Sequence, residues 1–267
     1  MKLNRGALGL LLFGALLGSS LFAPLLTPFD PVKPDYRATY APPGAGHLLG
    51  TDNLGRDVWA RSLYGGRASL AIALAGTLIA AGLGSSLGVL AAGFGGALEP
   101  VLTRAFDALL AFPGFLLVLL LVVALGGGAL PTLLSLGVAG APLYFRLARA
   151  YTRTLLQTDF VGAARALGAG RGRLLLRHVA PNFLGPLAVQ AASSAALFLI
   201  VEASLSYLGL GVQLPTPSWG NVLQDARAFL GRQPWAALGP GLFLLLATLS
   251  FQLLSDALQR RLDRRSS

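Results

Sequence analysis

The 267-residue chain has no cysteine, one methionine and two histidines, and only 12% of it is charged. Without cysteine there are no disulfides, thiolate metal sites or cysteine nucleophiles. His47 and His178 lie far apart in sequence, so a zinc site built on a histidine pair is not expected. No GxxxxGK[ST] phosphate loop occurs, which removes ATP hydrolysis by that route. The long apolar runs contain no internal Asp, Glu, Lys or Arg; only His178 and Glu202 sit at the ends of one. Proton-coupled carriers and voltage sensors place ionisable groups inside the membrane, so both classes are disfavoured. Sodium coupling through the backbone carbonyls of broken helices stays open, as do a passive channel and a purely structural membrane subunit. The chain carries no energy source of its own, and any pump built on it needs a partner.

What is present is apolar. Hydrophobic residues make up 54% of the chain and the mean hydropathy is +0.67. An average soluble domain is ~25% charged, so this composition excludes a soluble enzyme and a disordered tail. A helix of about 20 apolar residues crosses the ~30 Å hydrocarbon layer. Charge-free runs of that length or more occupy residues 6–29, 68–98, 108–145, 178–201 and 233–255. The third is too long for one crossing and carries Gly126-Gly127-Gly128 and Pro131, which read as a tight turn between two helices. The expected fold is therefore all-α: a polytopic membrane protein with six transmembrane helices, centred near residues 17, 82, 116, 138, 192 and 244.

Basic residues set the expected direction, because Lys and Arg stay on the cytoplasmic side. With both termini inside, the inner segments hold Lys2, Arg5, Arg104, Arg146, Arg149, Arg153, Arg165, Arg171, Arg173, Arg177, Arg260, Arg261, Arg264 and Arg265. That is fourteen of the 21 bases against five of the 11 acids, which accounts for nearly all of the +10 net charge. A pI of 11.0 would suggest nucleic acid in a soluble protein; here it is a topology signal, and no nucleic-acid partner is expected. The first run, with Lys2 and Arg5 before it and Gly18-Ser19-Ser20 within it, also resembles a secretory signal. Its continuation through Leu21 to Leu26 exceeds a typical signal core and favours a retained anchor.

Small residues crowd the second run, and Gly84-Ser85-Ser86-Leu87-Gly88 is a GxxxG pattern that lets helix backbones approach closely. Packing within the chain is favoured over a subunit contact. Pro113 and Pro142 each remove an amide donor and are candidate kinks or hinges.

The longest inner connection, 146–177, reads largely as helix. Thr158 is placed to cap it, with Asp159 in the first turn where an anion suits the helix dipole. Phe160, Ala163, Ala164 and Leu167 follow at i, i+3, i+4 and i+7, one apolar stripe. Gly168 stops the helix, and a second basic helical stretch, 171–178, ends at Pro181. Two readings compete for the stripe. One is a helix lying on the inner leaflet, where each nearby arginine contributes about 1 kcal/mol toward anionic lipid. The other is a knob that docks into a groove on a cytoplasmic protein. Lipid-surface helices favour bulky apolar residues, whereas two alanines bury little area and permit close approach. The alanines favour docking.

Three motifs in order then carry a family resemblance. Asp159-Phe160-Val161-Gly162-Ala163-Ala164-Arg165-Ala166-Leu167-Gly168-Ala169, with Arg177-His178-Val179-Ala180-Pro181-Asn182 after it, resembles the EAA loop (about 151–181) of bacterial ABC-importer permeases. The match is to the C-type subunit of the dipeptide/oligopeptide/nickel subfamily. Gly50-Thr51-Asp52-Asn53-Leu54-Gly55-Arg56-Asp57-Val58 supports it, as do 204–213 and the stretch from Pro215 to Trp219-Gly220-Asn221. The resemblance implies a type I ABC-importer permease fold in the cytoplasmic (inner) membrane, with an anchor and outer connector at 1–66, the transmembrane domain at 67–257 and a basic tail at 258–267. It implies a non-catalytic subunit that forms half of the pathway for peptides or related small solutes. The implied partners are a second, B-type permease subunit, two ATPase subunits that bind ATP and Mg, and an extracytoplasmic solute-binding protein. No cofactor is implied on this chain. Ala163, Ala164 and Leu167 would form the ATPase-docking face, with Asp159, Phe160, Gly162 and Arg165 in the same helix and Gly168 as its turn. Gly162 stands where a Glu often sits, and Ala180 where a Leu is usual.

On the outer side, residues 219–230 place Trp219, Val222, Leu223, Ala226, Phe229 and Leu230 on one helical face, with Asp225 elsewhere around the turn. Trp219 is expected at headgroup depth, and Trp219, Gly220 and Asn221 in the platform that receives the binding protein. The mixed-charge stretch 53–67, which includes the subfamily residues Gly55, Arg56 and Asp57, reads equally as a contact with the partner permease or with the binding protein. Six prolines in or beside 27–46 predict an extended connector.

Overall fold

The structure, a computed structural model, describes residues 5–231 and 233–266, with side chains up to 263. Lys2, Arg264 and Arg265, counted above toward the charge bias, lie outside this description as side chains. In chain order the helices are α1 (Arg5–Leu21), α2 (Ala23–Leu26), α3 (Val58–Phe94), α4 (Leu98–Leu110), α5 (Gly114–Ala124), α6 (Ala129–Leu155), α7 (Asp159–Ala166), α8 (Arg171–Arg173), α9 (Leu184–Tyr207), α10 (Trp219–Arg227) and α11 (Trp235–Ser266). The described residues contain no strand.

Among the described residues, four continuous helices are long and apolar enough to cross a membrane: α3, α6, the run Arg171–Tyr207 and α11. The sixfold count expected from the charge-free runs is not reproduced by this measure, for two reasons. First, α1 has 17 residues, about 25 Å at 1.5 Å per residue. Second, the third crossing is bent by 92° between α4 and α5. Pro113 stands at the bend with its missing amide, and α5 has only 11 residues, about 16 Å and half the hydrocarbon depth. The pair makes a fifth span only if both pieces are counted together. Pro142, the other expected kink, lies buried inside an unbroken α6.

Close approach of α3 and α6 dominates the packing, and glycine makes it possible. A side chain on Gly84 would collide with the Ala141 carbonyl and Tyr144 Cβ, and one on Gly88 with the Phe145 carbonyl and Ala148. Gly137 and Gly140 return the arrangement from α6, under Ile79, Ala80 and Phe198. The GxxxG pattern is thus used within the chain. Around it a core of Leu70, Ala73, Ala80, Leu136, Tyr144, Leu199, Phe243 and Phe251 joins α3, α6, α9 and α11. The predicted turn is present: Gly126, Gly127 and Gly128 all have positive φ (90°, 74° and 105°), and Gly128 N–H donates to Leu210 O at 2.9 Å.

Helix directions put the start of α1, the ends of α3, α6 and α11, and the segment containing α7 and α8 at one end of the molecule, the basic end. The connectors before α3 and after α9 lie at the other. There Arg67 donates to the carbonyls of Ser20 and Leu21, both at 2.7 Å, two acceptors left open where α1 stops. The division expected at residue 67 falls within α3, and the basic tail from 258 continues α11 as helix.

If close α3–α6 contact sets the fold, Gly84→Leu will sharply lower the amount of folded protein in membranes and its unfolding temperature, because overpacking costs about 1–3 kcal/mol or more. Gly82→Leu, on the open side of α3, is expected to leave both unchanged in the same fluorescence-detected gel-filtration assay.

Candidate functional site: a coupling segment and a buried clasp

The segment resembling the ABC-permease loop is built from three short pieces. In α7 only Val161 is buried. Phe160 is 46% and Leu167 89% exposed, Ala163 is exposed and Ala164 half-buried, and nothing lies within 4 Å of the place a Gly162 side chain would take. The stripe therefore faces outward while Val161, one position off it, anchors the helix. Asp159 and Arg165 are exposed at its two ends.

The helix stops as the sequence requires. Gly168 has φ +84°, its N–H donates to Arg165 O at 3.0 Å, and Ala169 N–H donates to Ala164 O at 3.1 Å. These two bonds satisfy the last carbonyls through a left-handed residue that glycine adopts without strain. The start differs from expectation. Thr158 has cap-like extended backbone but makes no side-chain cap bond; its hydroxyl donates backward to Leu155 O at 2.6 Å. The amides of Val161 and Gly162 reach the Thr158 carbonyl instead.

The basic stretch does not end at Pro181. It passes from α8 through a π-helical Leu174–Val179 and a 3₁₀ turn Ala180–Phe183 into α9. Widened and tightened turns absorb the proline within one continuous element, and such π turns are frequent at functional sites. The changed winding brings Leu175, Val179 and Phe183 to one buried cluster with Val89 of α3 and Ala148 of α6. Leu175 lies against Gly93, where any side chain would occupy the same space. The base of the segment is thereby seated on α3 and α6.

A second tie holds α4. Glu99 accepts from Arg149 Nε at 2.6 Å and pairs with Arg153 at 2.7 Å, and Arg146 donates to Asp107 at 2.6 Å. The end of α6 nearest α7 is thus clamped to the bent helix.

At the opposite end the motif around Gly55-Arg56-Asp57 closes on itself. Gly55 has φ +73° and sits against the Asp35 carbonyl. Asp57 caps α3, accepting from Ala60 N–H at 2.6 Å, and its other oxygen meets His47 Nδ1 at 2.8 Å. Arg56 and Arg61, both buried, each pair with Asp52 and Asp225: 2.7 and 3.0 Å for Arg56, 2.7 and 2.9 Å for Arg61. Two cations and two anions alternate, joining the connector, α3 and α10. Asp225, assigned no role from sequence, completes the cluster from 164 or more positions away. The one available signal was that two arginines so near the start of a span need anions.

Trp219 is 0% exposed, so its ring packs inside the protein and does not face lipid headgroups. Its indole N–H donates to Ser62 O at 2.8 Å and its backbone N–H to Ser69 Oγ at 3.2 Å. Gly220 lies against the Ala203 carbonyl. Asn221 is buried in a reciprocal cap with Ser218 (2.9 and 3.2 Å) and donates to Thr216 O at 2.9 Å. The Trp219 and Asn221 side chains and the close backbone approach at Gly220 hold α10 in place, and all three residues are buried. The expected helix to residue 230 ends at Arg227. Glu202, read as marking the end of a run, is fully buried and accepts from Ser206 Oγ at 2.8 Å. The connector 27–46 is irregular apart from one turn, Tyr36–Ala38.

Residues 84–267 match the family described as binding-protein-dependent transport system inner membrane component. The chain belongs to that family. It is 41% identical to the di/tripeptide transport system permease protein DppC of Pseudomonas aeruginosa, over 97% of this chain and 88% of the relative. It is 36% identical to the dipeptide transport system permease protein DppC of Alkalihalophilus pseudofirmus, over 98% and 87%, and 35% identical to that of Haemophilus influenzae, over 98% and 91%. The family is one of permease subunits of ABC importers, in which this chain is a non-catalytic inner-membrane component that works with a binding protein and an ATPase.

Because breaking a buried ion pair leaves an uncompensated charge at a cost of about 3–5 kcal/mol, Asp225→Asn is expected to lower the unfolding temperature of the purified subunit and expose α10 to protease. An unchanged melting curve and digestion pattern would remove the clasp from this account.

Proposed function

We propose that this subunit forms half of an inward pathway for di- or oligopeptides and that its ATPase docks on the exposed face of α7. The observation that carries the reading is a small-sided apolar stripe, Phe160, Ala163, Ala164 and Leu167, left outward on a helix whose base is buried against α3 and α6. An outward-facing surface of that kind suits a protein groove, since alanines allow close approach. Asp159, Gly162 and Arg165 border the contact, and Gly168 fixes the angle at which the helix is presented.

In this reading ATP and Mg bind the ATPase subunits, two of them, and a second permease subunit of the B type supplies the other half of the pathway. Both termini lie in the cytoplasm, because the end bearing α7 also carries most of the arginines. The opposite end receives the solute-binding protein. With Trp219, Gly220 and Asn221 internal, contact there falls to exposed groups such as Tyr36, Leu48 and Leu214. Peptide cargo is supported by the names of the relatives.

Leu167→Asp and Ala164→Glu test the docking. Leu167 makes so little contact with its own chain that folding should be unaffected, while a charge in a dry interface is expected to reduce ATPase co-purification at least about tenfold, or roughly 1.4 kcal/mol. Both variants retaining the ATPase at the normal ratio would overturn the reading.

A further inference from the structure

An apolar groove of about 610 Å³ runs between α1, α3, α9 and α11. Leu10, Phe13, Leu78, Ala195 and Phe251 are among its walls, and only Thr77 and Arg261 interrupt the apolar lining. Thr77 spends its hydroxyl on Ala73 O at 2.8 Å, so it offers no donor to a ligand. Phe13 and Phe251, with ring centroids 5.2 Å apart, close the inner end. Arg261 stands at the other end, exposed and without an ion-pair partner among the described residues.

The dimensions decide between occupants. From Phe251 to Arg261 is ten residues of helix, about 15 Å, the depth of one leaflet of a ~30 Å hydrocarbon core. The groove therefore begins at mid-membrane and opens at the level of the headgroups. A transmembrane helix crosses the whole ~30 Å hydrocarbon core, so a groove one leaflet deep would cover only about half of it. Acyl chains are thinner, and a cation at headgroup level selects for negative charge; basic pockets between membrane helices hold anionic headgroups in this way.

We propose that the groove is a binding site for an anionic glycerophospholipid, with a chain between α1, α3, α9 and α11 and the phosphodiester at Arg261. The site lies at the end of the molecule that bears α7, so the lipid comes from that leaflet. Its occupant ties α1 to the start of α9 and the end of α11.

The test uses the assembled transporter, extracted from bilayers of mixed phosphatidylglycerol and phosphatidylethanolamine and weighed by native mass spectrometry. Retention of phosphatidylglycerol in preference to phosphatidylethanolamine is expected. Arg261→Glu should cut that retention at least fivefold, Arg261→Lys should keep most of it, and Ala7→Trp, which fills the mouth from an exposed position, should displace it. Equal retention of the two lipids by the unaltered protein, or retention unaffected by Arg261→Glu, would overturn the proposal. So would a lipid held by the isolated subunit but absent from the assembled transporter, since the second permease would then cover the groove. Arg261 is exposed, so loss of folding does not obscure the result even if Ala7→Trp fails to assemble.

Discussion

The seat of Leu175 on Gly93 is the contact on which the rest depends. In the proposed coupling, force received at α7 needs something rigid to carry it onward, and a helix so short has almost no core of its own. Val161 is its single buried residue. The segment acquires stiffness beyond α8, where Leu175, Val179 and Phe183 bury against Val89 and Ala148. Because Gly93 has no side chain, the leucine comes right down onto the α3 backbone. The same economy of volume recurs along α3 at Gly84 and Gly88, so that α3, α6 and the base of α9 form one packed body. Densely packed interiors move as units and do not deform smoothly, which makes this body suited to rocking.

The two ends of the molecule solve different problems. At the basic end the stripe on α7 is unsatisfied, and the ion pairs of Glu99 and Asp107 lie at a half-wet surface where salt bridges contribute little to stability. They orient α4 against α6. At the other end polar groups are driven inward: Arg56, Arg61, Asp52 and Asp225 neutralise one another inside the protein, Asp57 caps α3, and Trp219 and Asn221 spend their donors on backbone carbonyls. Buried groups of this kind are tolerated only when each finds a partner. The result is a fixed outer frame and a basic end that presents a free surface.

Much of this was legible beforehand. Charge-free runs locate α3, α6, α9 and α11, because charge is costly inside a bilayer, though not the full count of six. The triple glycine at 126–128 marks a turn because three successive positive φ angles suit no other residue, and Gly168 ends α7 for the same reason. What escaped is what depends on distant partners. Pro113 signals a lost amide, but the 92° bend is set by how α4 packs on α6. Trp219 reads as an interfacial anchor, since tryptophan prefers that depth, yet Gly65, Gly66 and Gly220 clear a place for it inside. Asp225 meets Arg56 and Arg61 only after the chain has crossed the molecule. The π turn at Leu174–Val179 leaves no mark that periodicity can detect, because a single widened turn shifts the apolar phase without breaking it.

In the proposed coupling, the base of the α7 segment moves with α3 as one body. The absence of cysteine from this chain allows spin labels on Phe94→Cys and Leu176→Cys, both exposed positions, and with cysteine-free partner subunits their separation can be followed in the assembled transporter by pulsed electron resonance with and without ATP. The predicted result is an unchanged 94–176 separation while the pathway helices rearrange. A 94–176 separation that changes on nucleotide binding, with the segment swinging free of α3, would contradict the claim.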